Sequence, residues 1–89
     1  MHEARLCLAL LSLAEEHLAR AGGGRIVRVR VEVGGLSGVS GTALRAAFPI
    51  CAAGTAAEGA ELEVLSVPGR ELRLRDLEVV DDVRNLRMR

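Results

Sequence analysis

Eighty-nine residues and 9.4 kDa make one small domain, of a size that buries only about 60–65% of the surface its unfolded chain exposes. The 49% apolar content is mostly alanine, leucine and valine, with Phe48 the lone aromatic, which suffices for one sheet under helices and not for two cores. Twelve basic residues balance twelve acidic ones, arguing against a grip on the phosphate backbone of DNA or RNA.

All the basic residues are arginine and lie along the whole chain, a pattern of GC-rich codons rather than of function. No apolar run reaches the roughly 18–20 residues of a membrane span. Ala4 to Ala14 is interrupted by Arg5 and Ser12 and has no basic leader, so no export signal is read there and the expected location is cytoplasmic. Cys7 and Cys51 form no CxxC pair. In a reducing compartment they are expected as small buried apolar side chains.

In chain order, Glu3 to Arg20 has helical spacing, with Leu6, Cys7, Leu10, Leu13, Ala14 and Leu18 on one face and Arg5, Ser12, Glu16 and Arg20 opposite. Gly22-Gly23-Gly24 ends it, supplying positive φ for a C-cap. Arg25 to Val33 alternates as a strand with Val27, Val29, Val31 and Val33 inward and Arg28, Arg30 and Glu32 outward. After the loop Gly34 to Gly38, a second helix capped by Ser40 or Thr42 runs to about Ala53, with Leu44, Ala47, Phe48 and Cys51 inward.

Two strands follow, Ala60–Val67 and Glu71–Val79, and Pro68-Gly69-Arg70 between them predicts a hairpin that sets Val64 against Leu74 and Glu63 against Arg75. Val80 to Arg89 is left open between an amphipathic turn, a strand extension and a frayed end. The fold class is α+β in the order α-β-α-β-β, a three-stranded sheet with two helices packed on one face.

The N-terminus carries the chemistry. His2 is a large second residue, which normally protects the initiator methionine, so the free amine is expected on Met1. That amine, the His2 imidazole and deprotonated amides of His2 and Glu3 form a planar nitrogen set, which suits Ni(II) or Cu(II) and not tetrahedral zinc. The amine titrates near 8, so the site should weaken in acid. A histidine in second place is by itself a weak signal.

Further residues stand in the order seen in one family. Met1-His2-Glu3, the strand Arg28-Val29-Arg30-Val31-Glu32-Val33-Gly34, the loop Leu36-Ser37-Gly38-Val39, Ala43-Leu44-Arg45 with Ala47-Phe48, and Glu58-Gly59-Ala60-Glu61-Leu62 through Val67-Pro68-Gly69 together resemble HypA/HybF proteins over residues 1–79. The resemblance implies a nickel metallochaperone of NiFe-hydrogenase maturation, not an enzyme. It implies nickel held by Met1, His2 and Glu3 and partners in the maturation GTPase HypB and the hydrogenase large subunit.

Two departures stand out. The family inserts a zinc domain with two CxxC pairs between its last two strands, whereas here Val67-Pro68-Gly69-Arg70 runs straight into Glu71, so no zinc is expected. Residues 1–79 are then a HypA-like nickel-binding domain and 80–89 a tail. Pro49 also falls inside the second helix, where proline costs about 3 kcal/mol, so that helix should kink or shorten.

His17 reads as a buried or rim histidine, about 22 Å along the helix from His2 and so outside its site. The charged outer sheet residues read most simply as cross-strand ion pairs, with a protein-docking surface as the sharper reading. No nucleophile-base pair or phosphate loop is present. A diverged HypA-like docking adaptor without nickel is the alternative function. The short connector also predicts a homodimer formed by exchange of the last strand.

Overall fold

The computed structural model describes residues 2–80; Met1 and residues 81–89, which hold nearly all of the expected tail, lie outside the described residues. Helix α1 spans His2–Arg20, strand β1 Arg25–Gly34, helix α2 Gly41–Ala52, strand β2 Glu61–Val67 and strand β3 Leu72–Val80. The order is the expected α-β-α-β-β, and boundaries move by a residue or so.

Helix α1 stops where its carbonyls find new donors. Gly23 N–H reaches Leu18 O at 2.9 Å and Gly22 N–H reaches Ala19 O at 3.2 Å, a Schellman closure that needs the positive φ of 103° at Gly22. Its buried stripe is Cys7, Leu10, Leu11, Ala14 and Leu18. Leu13, expected inward, is 39% exposed and lines the β3 margin beside Leu72 and Leu74, while Leu11 is buried instead. Helix α2 begins at the N-cap Ser40, whose Oγ accepts from Ala43 N–H at 3.1 Å. It continues through Pro49, which lies on its exposed side, and buries Leu44, Phe48 and Ala52.

The sheet differs from the expected hairpin. Its strand order is β2-β1-β3, so β1 lies in the middle, parallel to β2 and antiparallel to β3. Val64 stands beside Val31 and Leu74 beside the same Val31 from the other side, so neither pairs with the other. The connector from β2 to β3 therefore steps over the end of β1, across about 10 Å for two strand spacings. Four extended residues reach that far. It is held there by Gly34 N–H to Glu71 O at 2.8 Å, Gly35 N–H to Val67 O at 2.9 Å and Leu36 N–H to Gly69 O at 2.8 Å. Gly34 makes room for it: a Cβ there would strike the Gly69 carbonyl and stand 2.9 Å from Glu71 N.

Two β-bulges set the faces. Val27, expected inward, is the extra residue between the pairs Ile26–Val79 and Arg28–Glu78, so Ile26 enters the core in its place. Arg75 is the extra residue on β3 between Asp76, opposite Arg30, and Leu74, opposite Val31. Leu77 thereby returns to the inner face. Both helices cover that face, and the core joins their buried stripes to Ile26, Val29, Val31, Val33, Ala57 and Leu62.

Candidate functional site at the helix α1 N-terminus

Of the three expected metal residues, only the Glu3 side chain lies within the described residues. Met1 is outside them, and the structure describes His2 only as the first residue of α1. Glu3 sits in the first turn, where backbone N–H groups have no partner inside the helix, so amides here can be given up without breaking helical hydrogen bonds. Its Oε2 accepts from Ser40 N–H at 3.3 Å, which ties the start of α1 to the start of α2. A carboxylate between two helix N-termini is electrostatically favoured.

The neighbouring loop completes the setting. Ser37 Oγ accepts from Val39 N–H at 3.1 Å, and Gly38 turns the chain at a φ of 79°. Glu3, Leu6, Ser37, Gly38 and Val39 line a shallow groove of about 310 Å³, beside which Leu36 is 74% exposed. The N-terminus thus opens on an exposed loop.

Sequence reasoning missed one juxtaposition. Cys7 and Cys51, far apart along the chain, are brought together where α1 meets α2. Cys7 Sγ also faces Leu44 O at 3.5 Å, and Cys51 Sγ faces Ala4 O at 3.8 Å. Burial, then the neighbouring Cys51 and Glu3, push the Cys7 thiol up to about 11. It is therefore a protonated core side chain at neutral pH and no ready metal ligand. Each cysteine lies on its helix's inward stripe, which was the available signal. His17 is exposed near the far end of α1, away from Glu3. Among the described residues no group of three His, Cys, Asp or Glu could hold a metal. The connector 68–71 contains no cysteine, so it does not fit a zinc site.

The outer sheet face is an ion-pair lattice, as expected. Arg30 bridges all three strands, to Glu63 on β2 at 2.9 Å and Asp76 on β3 at 2.8 Å, and these bonds raise its pKa further, Asp76 first. Arg28 reaches Glu61 at 3.2 Å and Glu78 at 3.8 Å, and Glu32 takes Arg73 and Arg75, each at 3.6 Å.

The family model described as hydrogenase/urease nickel incorporation, metallochaperone, HypA, matches residues 1–79. The chain belongs to the HypA family. The hydrogenase maturation factor HypA of Paracoccus denitrificans is 40% identical over 72 residues, which cover 81% of this chain and 64% of that protein. That of Deinococcus radiodurans is 46% identical over 69 residues, 78% of this chain and 58% of that protein. The chain thus spans less than two thirds of these HypA relatives. In fold it is similar to the solution structure of the Ni metallochaperone HypA from Helicobacter pylori, with a TM-score of 0.79 at 19% identity over 89% of this chain and 97% of that one. The HypA family is one of metallochaperones, not of enzymes. No helix among the described residues is long and apolar enough to cross a membrane.

Proposed function

We propose that this HypA-family chain carries Ni(II) at its N-terminus and hands it on during NiFe-hydrogenase maturation. The Met1 amine, the His2 imidazole and backbone at His2 and Glu3 would hold the ion as cargo. The observation that carries this reading is the family match, which begins at residue 1 and so includes Met1-His2-Glu3. The anchoring of Glu3 to Ser40 supports it, because it fixes the first turn of α1, whose backbone N–H groups have no acceptor inside the helix. A carrier must also release its ion, and a site built at a chain terminus would permit that.

Residues 1–79 would act as the nickel-binding domain without help from a zinc domain, and 80–89 as a tail. The partners proposed from the family are HypB and the hydrogenase large subunit, met in the cytoplasm.

The test is a Ni(II) titration of tag-free protein at about pH 7.5, just below the amine's ordinary pKa, followed by visible circular dichroism. One equivalent should give the signal of planar Ni(II), lost in His2→Ala and after an N-terminal Gly-Ser extension. A signal indifferent to both changes, or none, would sink the carrier reading and leave the docking adaptor. Binding should fall as pH drops, because the amine and imidazole must lose protons to ligate.

A further inference from the structure

The two thiols are groups that the nickel reading leaves unused. They sit on the inward stripes of different helices, and each reaches across to the other helix's backbone: Cys7 Sγ is 3.5 Å from Leu44 O, and Cys51 Sγ is 3.8 Å from Ala4 O. These two contacts put the pair in one place. A helical side chain leans back over the turn before it, which is the turn of Ala4 for Cys7 and the turn of Ala47 and Phe48 for Cys51. The thiol that reaches Ala4 O therefore stands against the Cys7 side chain. Leu44 O in turn points along α2 toward Phe48, into the turn that Cys51 leans over. Ala4 and Ala47 are small and put no bulk between the sulfurs.

From this placement we propose that Cys7 and Cys51 are a redox pair, which a small-molecule disulfide oxidises to an intramolecular disulfide joining α1 covalently to α2. The half-buried Cys51 is the thiol that meets the oxidant, since Cys7 is fully buried. Cys51 loses its proton and attacks one sulfur of the oxidant, whose S–S bond breaks and releases a first small thiol, leaving a mixed disulfide on Cys51. Cys7 then loses its proton and attacks the Cys51 sulfur. The mixed S–S bond breaks, and the second small thiol leaves with that proton. The cysteines give up two electrons and two protons, and the oxidant takes up both. Burial holds the proton on Cys7, so the closing step, and not the first attack, is the slow one at neutral pH.

The bond spans most of the sequence between the two helices and the whole of β1, so it restricts the unfolded chain far more than the folded one. In the reduced chain α1 and α2 are linked by packing and by the Glu3–Ser40 hydrogen bond. Oxidation adds a covalent link one turn further along α1. The device is thus a stability switch set by the thiol–disulfide balance around the protein, and it does not depend on nickel.

The test incubates the full, metal-free chain with glutathione disulfide in native buffer, quenches it with acid and weighs it intact. The product should be a single chain lighter by two hydrogens, and an arginine-specific digest without reductant should join peptide 6–20 to peptide 46–70. Its melting temperature should rise by about 10 °C and return to the starting value on reduction. Closure of the mixed disulfide should speed up about tenfold per pH unit below the Cys7 pKa, because the attacking group is the thiolate. Cys7→Ser should stop with one glutathione on Cys51, and Cys51→Ser should leave Cys7 untouched while folded. Circular dichroism of both variants keeps a folding defect distinguishable from lost chemistry. A mixed disulfide that persists in the folded wild-type chain, closure only in denaturant, disulfides only between chains, or an oxidised chain that melts no higher than the reduced one would overturn the proposal.

Discussion

At the scale of single residues, the buried Cys7 thiol makes stability sensitive to alkaline pH. With no lysine and no tyrosine in the chain, few other groups titrate there. Cys7 keeps its proton to about pH 11 when folded, against an ordinary value of 9.0. The folded state thus binds the proton more tightly than the unfolded one. Its contribution is complete below pH 9 and fades as pH rises toward 11. Chemical denaturation across that range should show the loss, and Cys7→Ala should flatten it. With an alkylating reagent, the half-buried Cys51 should react first and the buried Cys7 only on unfolding.

Elements show how much of the fold the sequence carried. Period 3.6 in α1, period 2 in β1 and the capped α2 were legible because each buries a single face. The strand order was not, because Pro68-Gly69 between adjacent strands looks like a hairpin turn, while the actual pairing depends on contacts remote in sequence. A charge signal for it existed. Arg28 and Arg30 are flanked in space by acids from both neighbours, Glu61 and Glu63 on one side and Asp76 and Glu78 on the other, which only a central β1 allows. The Arg75-Asp76 break in alternation likewise marked the bulge.

Four variants test these elements. Val31→Asp, at a fully buried position between both partner strands, should abolish cooperative unfolding in denaturant titration. Arg30→Ser should shift the midpoint only modestly, since exposed ion pairs contribute at most about 1 kcal/mol each. Pro49→Ala should raise stability by about 1–3 kcal/mol, because it restores the N–H that the Arg45 carbonyl lacks and removes the ring's clash with the preceding turn. Gly34→Ala should do the reverse, lowering the melting temperature by pushing the connector off the end of β1.

The whole molecule gathers its special features at one end. Helix α1 starts where β1 finishes, so Glu3, the loop Leu36 to Val39 and the connector 68–71 share that end, bound to one another through Ser40 and Leu36. The candidate site was legible only as a run of three residues, since nothing in local pattern shows what stands around it. The connector's place gives it a further meaning. The carbonyls of Val67, Gly69 and Glu71 accept the bonds that hold it, while Arg70 is exposed and takes part in none of them, which makes it the natural splice point. A sequence grafted there would emerge at the same end as Glu3 and the start of α1, near the proposed nickel site. A dye on a cysteine placed at residue 70, in a variant with Cys7 and Cys51 replaced, should be quenched by one equivalent of Cu(II). One at Gly23, the length of α1 away at roughly 27 Å, should respond far less. If the proposed nickel site forms, the short connector thus opens beside it, at the end of the molecule where an added segment could reach the ion.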